Sequence, residues 1–300
     1  MKKKTYLFAL MAMALTLGSC SDNENGIGGE TSKYITVSTS IGNMTRVATD
    51  ANGGQTFEEG DEISVYAWTG DATVAPETRE RVVNNAINKL TNGSWVSTPQ
   101  MLWKNNRDKH YFIGVYPISA ISDLSAGEYA FDETKQVESD LSVAVNKDGL
   151  SYNVDEQQPV PLTFTHVMAK LVVNLTYKNQ WGGIPTVEKV VVGNAAKEAT
   201  INYLTKVVTP STTAKEDFSL PEITENTKYV SVIIPQEDVK QLTIVIGGKN
   251  FVYDNGTPFK LESGKITTVN LEVGRDEIKL GDVKITDWEN GSTFSGEALN

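Results

Sequence analysis

The side chains that most often carry catalysis are sparse in this chain of 300 residues. It has two histidines, His110 and His166, which lie far apart in sequence, and we predict that His166 is a hydrogen-bonded structural residue. The acidic run Glu58–Glu62 flanks a Gly60-Asp61 turn, where solvated carboxylates are expected. Paired-carboxylate glycoside hydrolysis stays open, but no feature selects a pair. The sequence lacks a nucleophile elbow, a zinc-protease helix and a phosphate-binding glycine loop. It therefore predicts a protein that is not an enzyme and holds no metal or other cofactor.

Cys20 is the only cysteine, and it supports chemistry of another kind. It follows a basic start and an apolar run over residues 6–17, which together are typical of a secretion signal. The segment Leu17-Gly18-Ser19-Cys20 resembles a bacterial lipobox, in which the cysteine thiol is acylated and becomes the mature first residue. We predict that residues 1–19 are a signal peptide. Acyl chains such as palmitate on Cys20 would then anchor the protein to a membrane without spanning it.

A candidate proteolytic site lies at Arg46-Val47, directly after a predicted strand. The segment Lys33–Val47 reads KYITVSTSIGNMTRV, and its apolar residues fall on one side of a period-2 alternation: Ile35, Val37 and Ile41. The glycine-rich stretch that follows, residues 48–55, is predicted to keep Arg46 accessible to a protease. Our hypothesis is that this strand fills a groove and is removed by cleavage after Arg46. A strand from another subunit would then replace it.

The net charge excludes one class of partner. The formal charge is −11, and removal of residues 1–19 with their three lysines leaves 24 basic against 38 acidic residues, about −14. Such a surface repels nucleic acid, and no basic stripe offsets it. The hydrophobic fraction of 39% is ample for a packed core in one large or two ordinary domains.

The elements that must position these residues are predicted to be short strands separated by turns. Residues 79–90 fit either a helix or a strand, and we favour a strand from about Val82, which the Asn92-Gly93 turn would continue as a hairpin. Residues 63–68, after the Gly60-Asp61 turn, and Tyr111–Tyr116 predict further strands. The proline-containing segment Asp155–Pro161 is the best domain boundary. Beyond it the predicted strands are residues 171–177, 187–192, 199–204, 229–234, 242–246, 251–253, 266–273 and 282–286. This spacing predicts an all-β chain with few short helices: a flexible tether at 20–32 and tandem β-sandwich domains at 33–160 and 161–300.

Several segments, taken in order, resemble the fimbrillin, or Mfa-like, family of type V pilus subunits, which bacteria export as lipoproteins. The resemblance covers nearly the whole mature chain, and each matching segment is modest alone. The segments are residues 44–47, Phe57 with Gly60-Asp61 and the strand 63–68, Trp95 with Trp103, residues 111–117, 164–171, 233–236, 261–265 and 285–288.

The resemblance implies two tandem transthyretin-like β-sandwich domains and a place at the cell outer membrane or in a surface fimbrium, reached through the periplasm. It also implies a mechanism. In polymerising members an arginine-specific, gingipain-type protease cuts after the arginine that follows the first strand, and a C-terminal segment of the next subunit occupies the opened groove. The implied partners are therefore other fimbrial subunits, that protease and the outer membrane.

The C-terminal stretch Glu277–Leu299 is the candidate donor. An open groove exposes unpaired backbone groups and an apolar floor. An incoming strand therefore restores the backbone hydrogen bonds of the sheet and places its apolar side chains in alternate pockets. Val283 and Ile285 alternate with polar residues, which makes one face apolar. The full set of candidate donor residues is Ile278, Leu280, Val283, Ile285 and Trp288.

Two alternatives remain open from the sequence. The C-terminal stretch could be the last strand of its own sandwich, and Arg46 could be an ordinary surface arginine. The chain would then be a non-polymerising adhesin lipoprotein, at a fibre tip or anchor, that binds a host glycan or protein. Exposed tryptophan faces would serve that role, and the candidates are Trp68, Trp95, Trp103, Trp181 and Trp288, although aromatic residues of a sandwich more often lie in its core.

Overall fold

A computed structural model describes residues 33–42, 57–152, 158–254 and 256–288. Within these residues the regular structure consists of strands and one turn of 3₁₀ helix, Thr78–Glu80. The strands of the first half are β1 (Val37–Ile41), β2 (Glu62–Thr69), β3 (Arg81–Thr91), β4 (Ser94–Thr98), β5 (His110–Tyr116), β6 (Gly127–Ala130), β7 (Ser142–Leu150) and β8 (Val160–His166).

The strands of the second half are β9 (Ala169–Tyr177), β10 (Val187–Ala196), β11 (Glu198–Asn202), β12 (Val207–Pro210), β13 (Lys215–Leu220), β14 (Glu222–Thr224), β15 (Lys228–Ile233), β16 (Gln241–Ile246), β17 (Lys249–Asp254), β18 (Lys265–Val273) and β19 (Ile278–Asp287). The predicted all-β sandwich class is confirmed.

The described strands form four sheets. A seven-stranded sheet has the order β1-β8-β7-β5-β2-β3-β4, and a five-stranded sheet has the order β14-β15-β9-β18-β19. A four-stranded sheet, β13-β10-β16-β17, and a three-stranded sheet, β12-β11-β6, complete the set. The strand that opens the described chain and the strand that closes it are thus both outer strands, β1 of the first sheet and β19 of the second.

The strand β2 lies between two apolar cores. Ile63 and Val65 are fully buried in a core that belongs to the seven-stranded sheet. Tyr66 and Trp68 point to the opposite face and are also buried, in the larger core shared with the second-half sheets. The alternation in the sequence predicts this strand, and the structure adds that both of its faces are covered, as expected for an inner strand.

The hairpin predicted at Asn92-Gly93 is confirmed between β3 and β4. Both turn residues have positive φ, 51° and 71°, as a two-residue turn with this sequence requires. The strand predicted from about Val82 begins at Arg81.

Hydrogen-bonded sheets connect residues on both sides of the boundary predicted at residue 160. The strand β8 begins at Val160 and pairs with β1 and β7, so residues 161–166 belong to the sheet of the preceding strands. The short strand β6 pairs with β11 of the second half. The division at residue 160 stays a prediction. The predicted signal peptide (1–19) and the predicted tether (20–32) precede residue 33 and lie outside the described residues.

Candidate functional site

The segment 33–42, which contains β1, is hydrogen-bonded along both of its edges. On one edge, β1 runs parallel to β8 over five residue pairs. On the other edge, the Ile35 amide donates to the Met101 carbonyl at 2.9 Å, and the Trp103 amide donates to the Lys33 carbonyl at 3.1 Å. Removal of this segment would therefore leave backbone donors and acceptors unpaired on two sides.

The same segment covers an apolar groove, which we call the β1 groove. Ile35 and Val37 are 2% and 6% exposed, so the inward face predicted from the alternation is confirmed at these positions. Ile41 is half-buried against the same core. The floor consists of the apolar side chains that share this core around the segment: Phe57, Trp95, Met101, Val160, Leu162 and Phe164. Burial of each such aliphatic side chain contributes about 1.5–3 kcal/mol, so a replacement strand must supply apolar residues at alternate positions.

Aromatic contacts and hydroxyl groups define the shape of the groove. The Phe57 ring meets the rings of Trp95 and Phe164 edge to face, with both centroid distances 5.2 Å. The Trp95 Nε1–H donates to the Thr39 hydroxyl at 3.0 Å. Because such neutral contacts contribute only about 0.5–1.5 kcal/mol each, the register of a strand in this groove depends mainly on its apolar alternation.

Gly114 of β5 has no side chain, and the Phe164 and Leu162 side chains of the groove floor occupy the space beside it. A Cβ at this position would lie 2.7 Å from Cζ of Phe164 and 3.1 Å from Cδ1 of Leu162. We predict that Gly114→Ala displaces the Phe164 ring and lowers the free energy of unfolding by about 1–3 kcal/mol in urea denaturation. The matched control is Gly42→Ala, whose added Cβ meets its nearest neighbour at an ordinary 3.5 Å. Equal stability of the two variants would contradict this assignment.

The strand β19 carries the candidate donor residues and is hydrogen-bonded to its own sheet. It pairs with β18 in an antiparallel ladder of nine residue pairs, and its other edge is free of strand partners among the described residues. This is the arrangement that the sequence left open as the alternative, in which the C-terminal stretch is the last strand of its own sandwich.

A bulge at Gly281 places the apolar residues of β19 on one face. The ladder shifts there, because Asn270 lies opposite Asp282 while Leu271 lies opposite Leu280. In an uninterrupted strand the even- and odd-numbered apolar residues would point to opposite faces. With the extra residue, all four pair with alternate positions of β18, namely Ile278 with 273, Leu280 with 271, Val283 with 269 and Ile285 with 267. A Cβ on Gly281 would lie 3.2 Å from the Asn270 carbonyl oxygen, which favours glycine there.

Burial along this apolar face is uneven. Ile278 and Leu280 are half-buried and pack against the larger core. Val283 and Ile285 remain 38% and 39% exposed, although they point toward the sandwich side of the sheet. The strand is therefore held mainly by its backbone ladder, and part of its apolar face is uncovered.

Trp288, the fifth candidate donor residue, behaves differently from the other four. It follows β19 and is fully buried. Its ring stacks on the imidazole of His166 with centroids 3.7 Å apart and planes 5° apart. His166 donates from Nδ1 to Oδ1 of Asp140 at 2.7 Å, so the prediction of a hydrogen-bonded structural histidine is confirmed.

Lys170 lies over the other side of this cluster and predicts a pH dependence of stability. Its Nζ is 4.4 Å from the centroid of the Trp288 ring, and burial lowers the pKa of Lys170 to about 8. Between about pH 8 and the usual lysine pKa near 10.5, the unfolded state binds more protons than the folded state. The free energy of unfolding should therefore rise with pH in this window, by up to about 3 kcal/mol.

The measurement compares urea denaturation of the wild type and of Lys170→Met at several pH values from 7.5 to 10. The difference in stability, wild type minus variant, is expected to increase with pH, because the variant lacks the titrating group. A difference that stays constant or decreases would contradict the assignment.

A family model now decides what kind of protein carries this groove and this strand. The model described as fimbrillin-like matches residues 45–288. The chain belongs to the fimbrillin-like family. The match begins after β1 and ends at Trp288, so it contains β19 completely.

Solved structures share the fold of this family member. A candidate cell adhesion protein from Bacteroides uniformis is similar with a TM-score of 0.64 and 19% identity, over 85% of this chain and 98% of that one. A candidate cell adhesion protein from Bacteroides ovatus has a TM-score of 0.61 and 17% identity, over 85% and 98% of the two chains. A fimbrial protein from Bacteroides vulgatus has a TM-score of 0.54 and 12% identity, over 84% and 99%. No curated protein sequence matches the chain significantly.

The remaining predicted site residues of this fimbrillin-like chain fall elsewhere. Cys20, Arg46 and Val47 lie outside the described residues, so lipidation and processing stay predictions. His110 is fully buried, accepts from the Lys104 amide at 3.1 Å, and has its pKa lowered by burial. Each histidine is thus held in its own structural contacts. In the described part of the chain no group of three or more His, Cys, Asp or Glu side chains is placed to hold a metal ion.

The five tryptophan side chains are buried or half-buried rather than exposed on the surface. Trp68 and Trp288 are 2% and 0% exposed, and Trp95, Trp103 and Trp181 are half-buried against the two cores. Over the described residues, no helix has the length and apolar character needed to cross a membrane.

Sequence reasoning missed the features that shape the groove and the strand. Gly114 stands inside an apolar strand run, and Gly281 interrupts an alternating one. An isolated glycine within a strand pattern signals a close approach or a bulge, so both positions could have been found. The floor residues Phe57 and Phe164 give no such signal, because only the fold brings them together.

Proposed function

We propose that this chain is a structural subunit of a surface fimbria, a type V pilus that mediates cell adhesion. It is exported through the periplasm as a lipoprotein acylated at Cys20 and is held at the outer membrane. An arginine-specific protease cleaves between Arg46 and Val47 and releases the segment 20–46, which contains β1. The vacated β1 groove then accepts β19 of the next subunit. This role is structural and requires no catalytic site.

One observation carries the proposal: the unequal burial of the two outer strands. At the groove positions Ile35 and Val37, side chains are at most 6% exposed, whereas Val283 and Ile285 on their own sheet are nearly two-fifths exposed. Transfer of β19 into a vacated groove exchanges one backbone ladder for another and buries additional apolar surface. At about 25 cal/mol per Å², that burial favours the exchanged state. Membership in the fimbrillin-like family supports the same role.

A second candidate is favoured by the pairing of β19 with β18 over nine residue pairs. If β19 stays on its own sheet permanently, the chain is a tip or anchor subunit, or a stand-alone adhesin lipoprotein that binds a host glycan or protein. The burial of the tryptophans gives little support to a binding surface built on exposed aromatic rings.

Limited digestion of the purified protein with an arginine-specific protease separates the two candidates. The polymerising role predicts one dominant cut after Arg46, followed by multimers that resist detergent and dissociate on heating. A clean cut that leaves only monomers, or no cut under native conditions, supports the second candidate. Intact mass measurement identifies the cut, and electrophoresis with and without heating detects the multimers.

A further inference from the structure

The burial of Trp288 marks a contact that the exchange of β19 would have to break. The indole lies between the His166 ring, stacked at 3.7 Å, and the Lys170 ammonium at 4.4 Å from the ring centroid. The Trp288 amide donates to the Gly264 carbonyl at 3.2 Å. Asp287 adds an ion pair to Lys265 at the same end of the ladder. We call the site formed by His166, Lys170 and Gly264 the Trp288 seat.

The seat stacks against the ring but leaves two buried side-chain atoms without a hydrogen-bond partner among the described residues, Nε1 of Trp288 and Nε2 of His166. A buried N–H without a partner is costly, and the group regains a partner once it reaches water. The contact therefore combines strong stacking with a cost that departure removes, which suits a contact that is made and broken.

The strand β8 connects the Trp288 seat to the β1 groove. Val160, Leu162 and Phe164 lie beside β1 in the same sheet and share its core, and His166 is the next residue of β8 on the same face. The last described backbone contact of the β1 segment, from the Gly42 amide to the Phe164 carbonyl at 2.9 Å, is two residues from the histidine that stacks on Trp288. The strand β1 pairs with residues 160–164 of β8, and if β1 left, β7 would be the one described strand still paired with β8, through residues 164–166.

We propose that Trp288 is a latch that keeps β19 on its own sheet, and that loss of β1 releases it through β8. Departure of β1 turns β8 into an outer strand, which loosens the position of His166 and so weakens the stack. One cleavage thus opens the groove of a subunit and frees the strand that the same subunit donates. This inference rests on the proposed function, and it adds a positioning role for His166 and Trp288.

Hydrogen exchange of the β19 peptide, followed by mass spectrometry, tests the latch in the intact, uncleaved chain. Trp288→Ala is expected to raise the exchange rate of β19 amides about tenfold or more, because a stacked aromatic contact has that order of effect on an opening equilibrium. His166→Ala should do the same while the indole remains. The matched control is Ile278→Ala, which removes a half-buried apolar side chain from the opposite end of β19 and should change the exchange rate less. The amides of β10, which contributes no residue to the seat, should be unaffected in all three variants.

The second arm repeats the measurement on wild type cleaved after Arg46, from which the β1 peptide has dissociated. The proposal predicts that β19 then exchanges as fast as in Trp288→Ala. Unchanged protection of β19 in both Trp288→Ala and His166→Ala would overturn the latch, even if cleaved subunits polymerise. Fast exchange in the variants without any change on cleavage would overturn the coupling through β8. Fast exchange in both arms without multimers supports the latch and counts against the proposed fimbrial assembly instead.

Discussion

An Arg46→Gln chain is expected to fold as the wild type does and to form no multimers after treatment with an arginine-specific protease. The reason is competition for the β1 groove. An attached strand competes at an effective concentration on the order of millimolar, whereas a neighbouring subunit is present at far lower concentration. The intact segment 33–42, which is hydrogen-bonded on both edges, should therefore exclude the donor. We expect assembly to fall at least about 100-fold, measured by light scattering and by heat-sensitive electrophoresis.

Two controls sharpen this prediction. Arg107→Gln alters an arginine that is exposed in the described part of the chain, and this variant should assemble normally after cleavage. Insertion of a recognition site for an unrelated protease after position 46 should restore assembly to Arg46→Gln when that second protease is added. Normal multimers from Arg46→Gln without such a site would show that release of β1 is not required, and the processing model would then be wrong.

A chain that ends at Glu277, itself cleaved after Arg46 so that its groove is open, is expected to stop fibre growth when it is mixed with cleaved full-length subunits. It lacks β19 and Trp288 and so cannot donate, but it retains the groove and can accept. We expect it to stay folded, because β18 keeps its parallel ladder of eight pairs with β9. With about one truncated chain per twenty full-length subunits, the mean fibre length should fall to roughly twenty subunits, since each captured truncated chain ends one fibre.

The control for truncation is the same fraction of additional full-length subunit, which should leave fibre length unchanged in electron micrographs. If the truncated chain unfolds, β19 is an integral strand of its sandwich, and the non-polymerising role gains support. If it folds but does not shorten the fibres, β19 is not the donor.

Much of the fold could be predicted from local patterns. The alternation in residues 33–41 predicts both a strand and its inward face, and Asn92-Gly93 predicts the β3–β4 hairpin because few other residues tolerate positive φ at two successive positions. The strands β9, β10, β15, β16 and β18 were predicted within a few residues of their observed bounds. These elements combine β-branched residues with clear turn signals, so local preference and tertiary packing agree.

Other features depend on contacts that local patterns do not contain. The strands β12 and β14 are short and mostly exposed, which leaves little hydrophobic signal. The Trp288 seat joins residues from the end of β8, the start of β9 and the turn before β18. The sequence predicts a structural role for His166 but not its ring partner. The paired state of β19 likewise depends on the partner strand β18 rather than on its own alternation.

The β1 groove and the candidate donor strand were also predictable from the sequence only in part. Ile35 and Val37 were predicted from their own alternation, whereas the floor that they cover comes from β8 and from residues near Phe57 and Met101. Val283 and Ile285 were predicted as one apolar face, and Ile278 and Leu280 join that face only because Gly281 forms a bulge. The strand and its inward apolar face could thus be predicted from the sequence, but the depth of the groove and the register of the strand required the fold.

The central claim is that β19 leaves β18 in order to join another subunit, and a disulfide across these two strands tests it most directly. Thr268 and Lys284 lie directly opposite each other in the ladder, at a separation typical of antiparallel partners that a disulfide can bridge. Thr268→Cys and Lys284→Cys are introduced together in a Cys20→Ser chain, which removes the native thiol. After cleavage at Arg46, the oxidised chain should remain monomeric, and reduction should restore multimers to the wild-type level. Equal assembly of the oxidised and reduced forms would contradict the account, because subunits would then join without release of β19.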